Sequence, residues 1–489
     1  MSSPNNIGQT YRYDGPVRLH ALVGQVLAGL GYIGGKGELP VGAVVTIRET
    51  EGKLILSCTF RQGEESFSSE AWFFDHTKEA GTLKTCLMEW HQRYTGAPPS
   101  PWGTLMGVRP TKLVHRLFDG GYTPEAAQAH LVETYHTSRQ TAADLVHMAA
   151  LQRPYVSGGT KSVSVYVGIP YCSSHCLYCS FPSRLIGAEG DEALQAFVAA
   201  MKRDIAAIHA FCAHYDLSIS TVYVGGGTPT CLTVWALERL LKAMRENFGI
   251  TQEWTVEAGR PDTATREKLQ LLYDYGVDRI SVNPQTMQQR LLDALGRKHR
   301  VEDIYAMYNT CKQIGFRLVN MDFIAGLPGQ SVEDMQENME IVCQLHPENV
   351  TIHTLALKKR APLFHHPLRQ HIPPAPLVQD MVTLCQDRLG QGGYIPYYMY
   401  RQTYMAASFA NVGYALPEAI GRYNIEMMEE RQSVLGAGPG SATKLIAQDG
   451  QGLQKLYMPK TIADYVQHVD EKIMRRQHLG AIIYGGEDW

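Results

Sequence analysis

The sequence predicts an α/β protein centred on an incomplete, TIM-like (β/α)6 barrel, with an N-terminal α+β domain and a C-terminal, mainly helical capping region. Two observations carry the barrel. From residue 162 onward, short apolar and β-branched runs alternate with amphipathic helical stretches, and strands separated by helices pair in parallel through right-handed crossovers. The unusual polar residues fall at the ends of those runs, and in parallel α/β folds reacting groups gather at the carboxyl ends of the strands. An open doubly wound sheet of six strands is the alternative that the same pattern allows.

Taken in order, residues 17 to 34 have helical periodicity and end in the Gly-rich turn GYIGGKG. Two alternating runs follow, AVVTIRE and KLILSCTF, joined by Thr50-Glu51-Gly52 as in a hairpin. A helix is predicted over 82–94, then the Pro-rich break APPSPWG, then helical periodicity over 111–151 interrupted at Gly120-Gly121 and near His136-Thr137. Residues 1–155 therefore read as a separate domain without a catalytic constellation, binding a partner or covering the barrel. Arg109, Lys112 and Arg116 read as a solvated helix face.

The barrel, residues 160–360, comprises SVSVYVGIP with a helix near 191–213, STVYVGGG with 232–247, WTVEAG with 263–275, RISVNP with helices within 286–314, RLVNMDFIAG with 332–345, and NVTIHTLAL. Residues 370–489, after the Pro-rich HHPLRQHIPPAPL, show helical patterns near 376–391, 424–433 and 461–477. Tyr394, Tyr397, Tyr398, Tyr400 and Tyr404 with Arg401 suit either a flat anionic ring system or the aromatic core of a cap. The expectation is that this region closes the barrel mouth over substrate.

Composition narrows the function. A chain of 489 residues has room for two or three domains, and a formal charge of -3 gives no basic field for nucleic acid. The polar N-terminus lacks the apolar core of a signal peptide and no run is long enough to cross a bilayer, so a cytoplasmic protein without a membrane span is expected. Cys58, Cys86, Cys212, Cys231, Cys311, Cys343 and Cys385 are scattered singly, as small core residues are.

Cys172, Cys176 and Cys179 differ, with spacing C-x3-C-x2-C directly after the first barrel strand. Three thiolates this close call for a soft metal. A closed structural zinc site takes four protein ligands, whereas a [4Fe-4S] cluster held by three leaves one iron open to a further ligand. Zinc with His175 or another His as fourth ligand, in a non-catalytic module, is the competing reading. Gly225-Gly226-Gly227 at the second strand's end admits a close backbone approach to a ligand. Glu257 and Asp322 stand within apolar strands, where a carboxylate needs an ion-pair partner or a ligand's hydroxyl or ammonium group. Asn283 and Gln285 end the fourth strand, Asn320 accompanies Asp322 and His353 marks the sixth; Arg297 is either a surface cation or a fork for a carboxylate.

YVGIPYCSSHCLYCSF, VYVGGGTPT, RISVNPQT, GRKH and NMDFIAGLPG, in this order, resemble the radical S-adenosylmethionine (radical SAM) superfamily, and within it the oxygen-independent coproporphyrinogen III dehydrogenases (HemN-like). GGYIPYYMYRQTYM, NVGYALPEAIGRYNIEMMEE and VLGAGPGSATK resemble the HemZ-like branch of that family. The resemblance implies a radical SAM barrel in which Cys172, Cys176 and Cys179 ligate a [4Fe-4S] cluster and SAM completes it. By the same resemblance Tyr166 lies beside the cofactor, Tyr178 shields the cluster, Gly226 and Gly227 contact the methionine part of SAM and Arg297 pairs with its carboxylate. Gln285 and Asp322 lie near the ribose, and Glu257 contacts SAM. The implied reaction is oxidative decarboxylation of two propionates of coproporphyrinogen III to vinyl groups in porphyrin and haem biosynthesis, with a low-potential electron donor such as flavodoxin or ferredoxin. One position departs: the dehydrogenase pattern has a fourth cysteine where this chain has Phe181, and related haem-trafficking proteins also carry phenylalanine there. A haem chaperone and a haem-degrading radical SAM enzyme are the alternatives this leaves.

Overall fold

The computed structural model describes residues 10–30, 32–34, 41–50, 53–62, 65–73, 79–96, 100–105, 107–156, 161–188, 190–401, 409–447 and 452–485. The chain divides into two compact units, one of residues 1–151, 374–376 and 400–410, the other of 152–373, 377–399 and 411–489.

In the first unit the expected hairpin is present, with Val41–Thr50 antiparallel to Lys53–Gln62 and Thr50 opposite Lys53; Glu51 and Gly52 lie outside the described residues. Glu65–Phe73 extends it on one side, a strand too polar in ESFSSEAWF to announce itself. Thr10–Asp14 pairs in parallel on the other side, followed by Ile33–Gly34. Helices Val17–Gly29 and Glu79–Thr95 bury Val23, Leu27, Leu83 and Leu87 in one core with Val45, Leu54, Leu56 and Phe60. Helices Thr111–Asp119, Pro124–Tyr135 and Arg139–Val156 follow, with interruptions at the predicted points and His136 in the left-handed region.

The second unit is built on six parallel strands in sequential order: β1 (Ser162–Ile169), β2 (Ser218–Gly226), β3 (Glu253–Gly259), β4 (Arg279–Gln285), β5 (Leu318–Ala325) and β6 (Asn349–Thr354). Each connection carries a helix, as the crossover rule requires. Successive side chains along a strand point to opposite faces. Val163, Val165, Val167, Val222, Val224, Val256, Ile280, Val319, Met321, Val350 and Ile352 are buried on one face, where they make the core with the helices. The opposite face carries Ser164, Tyr166, Thr221, Tyr223, Glu253, Glu257, Arg279, Ser281, Asn320, Asp322, Asn349 and Thr351, brought side by side by the register. Strands of parallel sheets are ordinarily apolar on both faces, so this alternation marks a polar barrel interior.

The region after residue 370 contains the expected helices, Ala375–Gln391, Arg422–Glu429 and Ile462–Tyr484, and also strands that the sequence reading lacked: β7 (Ile395–Arg401), β8 (Ala410–Ala415), β9 (Ser433–Ala437), β10 (Ala442–Ile446) and β11 (Leu453–Tyr457). They continue the barrel sheet at both edges, in the order β7-β8-β6-β5-β4-β3-β2-β1-β9-β10-β11. β9 runs parallel to β1 with Leu435 opposite Val165, and β8 runs antiparallel to β6.

Helix Arg422–Glu429 lies at the amino-terminal ends of β1 to β3. Glu253 accepts from the first amides of that helix, Arg422 N at 2.7 Å and Tyr423 N at 3.2 Å, a carboxylate placed where the helix dipole favours it. Glu426 reaches inward to accept from Ser164 Oγ at 2.6 Å and Thr221 Oγ1 at 3.2 Å. The floor of the barrel is thus tied to β1 and β2, and its mouth is the opposite end.

Candidate cofactor site at the barrel mouth

β1 ends at Ile169, and Pro170 leads into a two-residue ladder, Tyr171–Cys172 against Arg184–Leu185. Arg184 N donates to Pro170 O at 2.8 Å and Ile186 N to Cys172 O at 3.0 Å, which closes a loop holding all three cysteines. The glycine triplet of β2 grips the start of that loop: Gly227 N donates to Ile169 O and Thr228 N to Tyr171 O, both at 2.7 Å. A methyl at Gly227 would sit 2.3 Å from Tyr171 O, so two backbones meet there in a way only glycine permits. A methyl at Gly226, whose φ is 107°, would meet Ile169 O at 3.0 Å and the Phe181 ring at 3.1 Å. Farther along, Leu177 N donates to Leu295 O at 3.1 Å and Leu363 N to Leu177 O at 2.8 Å.

Each of the three sulfurs accepts a hydrogen bond. Thr228 Oγ1 donates to Cys172 Sγ at 3.7 Å and Phe181 N to Cys179 Sγ at 3.4 Å; Arg297 Nη1 and Arg260 Nη1 donate to Cys176 Sγ at 3.8 and 4.0 Å. Burial pushes the Cys179 thiol up, and the charges of Cys176 and Cys172 act in the same direction against the Phe181 amide and Lys358. A thiolate at Cys179 is therefore favoured by a cationic partner beside it.

Deeper in the mouth Tyr223 Oη donates to Glu257 Oε1 at 2.6 Å. Burial and the neighbouring Asp322 raise the Glu257 carboxyl to about 7, against the lowering effects of Tyr223, the Gly226 amide and His353. Burial would raise Asp322 too, but the bond and charge of His353, then Asn320 and Thr351, outweigh it and hold that carboxyl below its ordinary value. Asn320 Nδ2 donates to Asp322 Oδ1 at 2.7 Å, and His353 Nε2 is 3.9 Å from the same oxygen. Of two carboxyls in one cavity, Asp322 stays ionised and Glu257 is poised near neutrality. Tyr166 stacks on Tyr223 at 6.2 Å, and Tyr223 on Tyr423 at 4.6 Å.

Arg297 is buried rather than on the surface: Nη1 donates to Tyr178 Oη at 3.1 Å, and Nη2 to Asn283 O at 2.6 Å and Gly259 O at 3.3 Å. Gln285 ends β4 with φ 69°, a conformation non-glycine residues adopt at a cost. The structure thus gathers Cys172, Cys176, Cys179, Tyr178, Arg297, Gly226 and Gly227 around the loop, and Glu257, Tyr166 and Asp322 around the adjoining polar interior. Sequence reasoning missed Tyr223, Thr228, Arg260 and Asp262. Strict alternation in STVYVGG gives the signal for Tyr223, and an arginine directly after a strand that ends at the mouth gives the one for Arg260. Arg401 donates to Leu105 O at 2.5 Å and stacks on Trp102 at 4.5 Å, so it belongs to the first unit's packing instead of a propionate site. Tyr394, Tyr397 and Tyr398 are buried core residues, and Tyr404 lies outside the described residues.

The donor set fits an iron–sulfur cluster bearing an amino-acid ligand. Among the described residues no group of three or more His, Cys, Asp or Glu is arranged to hold a single metal ion, whereas the thiolates of a cubane each bind a different iron and need not meet at one point. Arg297 Nε and Asn283 Oδ1 are buried without a protein partner, a donor and an acceptor that match the carboxylate and ammonium of SAM. Among the described residues no helix is long and apolar enough to cross a membrane.

Residues 166–342 match the radical SAM superfamily. The chain is 35% identical over 402 residues, 80% of its length and 80% of the relative's, to the oxygen-independent coproporphyrinogen-III oxidase-like protein HemZ of Bacillus subtilis (strain 168). It is 29% identical over 238 residues, 47% of this chain and 60% of the relative, to the heme chaperone HemW of the same organism. The solved structure of coproporphyrinogen III oxidase (HemN) from Escherichia coli, a radical SAM enzyme, shares the fold at a TM-score of 0.53, with 22% identity over 69% of this chain and 79% of its own. The cofactors of the superfamily are a [4Fe-4S] cluster and SAM. With its cysteine loop at the mouth of a parallel barrel, this chain belongs to the radical SAM superfamily, in the family of oxygen-independent coproporphyrinogen III oxidase-like proteins.

Proposed function

We propose that the chain is a radical SAM oxidoreductase that decarboxylates propionate side chains of coproporphyrinogen III, giving protoporphyrinogen IX. The reading is carried by a barrel mouth furnished for SAM, with three donor-bonded cysteine sulfurs beside a polar cavity holding one ionised and one near-neutral carboxyl. It is supported by likeness to the HemZ protein over most of both chains. When bound, the cluster and SAM would supply a 5′-deoxyadenosyl radical able to abstract a propionate β-hydrogen, the chemistry that oxidative decarboxylation to a vinyl group calls for.

The chain's own part is to bind, orient and exclude water. Cys172, Cys176 and Cys179 would hold the cluster. Arg297 and Asn283 offer their unpaired Nε and Oδ1 to the amino-acid end of SAM, with the Gly226–Gly227 backbone alongside. By the family resemblance Asp322 and Gln285 would lie near the ribose, Glu257 would contact SAM, Tyr166 would lie beside it and Tyr178 would cover the cluster. The electron comes from a low-potential donor of the flavodoxin or ferredoxin class. Residues 160–360 form the catalytic domain, 1–155 a separate domain, and 370–489 contribute to the substrate side.

Phe181 favours a second reading. Its ring packs against Gly226 where the dehydrogenase pattern carries a cysteine, which fits a haem chaperone that binds haem without consuming SAM. Anaerobically reconstituted protein with SAM, a reductant and coproporphyrinogen III separates the two. Formation of 5′-deoxyadenosine and protoporphyrinogen, with both lost in Cys172→Ala, is expected. Haem binding with no decarboxylation would overturn the enzyme reading in favour of the chaperone.

A further inference from the structure

Arg260 has no role in the site as read from sequence, yet it is 4% exposed and its guanidinium is committed in one direction. Nε and Nη2 form a fork on Asp262, at 3.0 Å to Oδ1 and 3.1 Å to Oδ2. Nη1 donates to Ser174 Oγ at 2.7 Å, Ser174 O at 3.1 Å and Cys176 Sγ at 4.0 Å. Asp262 accepts in turn from Ser173 Oγ at 2.9 Å, and buried His299 has Nδ1 3.7 Å from Asp262 Oδ1. Asp262 is held well below the usual carboxylate range: burial opposes this, but His299, Arg260 and Ser173 outweigh it. One ion pair at the end of β3 thus holds both residues between Cys172 and the approach to Cys176, and reaches the Cys176 sulfur itself.

We propose that Arg260, oriented by Asp262, is a positioning residue that fixes the cysteine loop and sets the reduction potential of the cluster through Cys176. The proposal rests on Cys176 being a cluster ligand. Hydrogen-bond donors and positive charge near a ligating sulfur stabilise the more electron-rich state and negative charge destabilises it, so the arginine side of the pair raises the potential and the aspartate side lowers it. Arg260→Met leaves the Asp262 carboxylate unbalanced beside the loop, and Asp262→Asn leaves the Arg260 cation unbalanced. The two variants therefore shift the potential in opposite directions, whereas simple loosening of the loop would move both the same way.

The test is an anaerobic redox titration of reconstituted full-length protein, following the reduced cluster by electron paramagnetic resonance at matched iron content. Arg260→Met is expected to lower the ratio of reduced to oxidised cluster about tenfold at a fixed solution potential, equivalent to about 59 mV for one electron, and Asp262→Asn to raise it. Unchanged ratios, or shifts of the same sign, overturn the proposal. Should Arg260→Met load no cluster, amide hydrogen exchange over residues 172–179 in the metal-free chain decides: several-fold faster exchange than wild type supports the clamp, and unchanged exchange overturns it. A Cys176→Ala control that keeps a native cluster signal would instead overturn the ligand assignment, independently of substrate.

Discussion

Glu257 shows most directly how one residue's surroundings set its chemistry. It occupies a β3 position that faces Tyr223, and burial raises its carboxyl to about 7 while Tyr223 holds it in place. A folded-state value above the ordinary 4.5 means that the folded chain keeps a proton the unfolded chain releases. The associated stability is fully present below the ordinary value and is lost as pH rises through about 7, by on the order of 3 kcal/mol. In the absence of SAM, Glu257→Gln should gain stability relative to wild type between pH 5 and pH 8, read as a widening gap between urea midpoints. A gap independent of pH would show that Glu257 is not buried as a neutral acid. Asp322, depressed by His353 and Asn320, contributes in the opposite sense, so its stabilisation is lost only in acid.

At the scale of elements, the cysteine loop depends on neighbours distant in sequence. The C-terminal helix Ile462–Tyr484 packs against helix Gly190–His214 around a buried ion pair, Arg476 Nη2 to Asp204 Oδ1 at 2.6 Å. Asp204 Oδ2 also accepts from Tyr465 Oη at 2.7 Å and Gly438 N at 3.2 Å, and Arg476 Nη2 donates to Gly436 O at 3.0 Å. Gly436 lies opposite Tyr166 in the pairing of β9 with β1. Removing one member of such a pair strands the other, so Asp204→Ala should cost about 3–5 kcal/mol. The double change to apolar residues should recover much of that loss. Equal losses in the single and double variants, measured by chemical denaturation, would mean that the pair does not act as a unit.

For the whole molecule, the C-terminal region, proposed above to contribute to the substrate side, is also part of the barrel sheet. β9 pairs with β1, the strand that leads into the cysteines, and helix Arg422–Glu429 anchors to Glu253, Ser164 and Thr221. A chain ending near residue 370 should therefore lose the folded barrel and its cluster, beyond losing turnover. Iron content and far-ultraviolet circular dichroism of the truncated protein provide the measurement. Retention of a full cluster with turnover abolished would restrict the region to a covering role.

The order of the barrel elements was legible in the sequence because local rules suffice for it: β-branched runs, amphipathic helices and the parallel crossover. The helices of residues 111–151 were marked by breaks at Gly120-Gly121 and near His136-Thr137, and the structure puts His136 in the left-handed region. The cysteine spacing and the family resemblance named the candidate cofactor residues. Strands β9 and β10 were not legible, since SVLGA and ATKLI are short and flank the glycines of a turn; what makes them strands is pairing with β1 and with each other. Nor did sequence show that Arg297 and Arg260 both donate to Cys176, that Tyr223 holds Glu257, or that Arg401 is spent on Trp102 and Leu105. By itself the sequence determined the superfamily and its cofactors, because the motifs that carry the resemblance and the strand–helix periodicity are local properties of the polymer. Tertiary structure alone decided which charges sit next to which sulfurs and carboxyls, because burial and electrostatic coupling arise only when distant segments share a low-dielectric space.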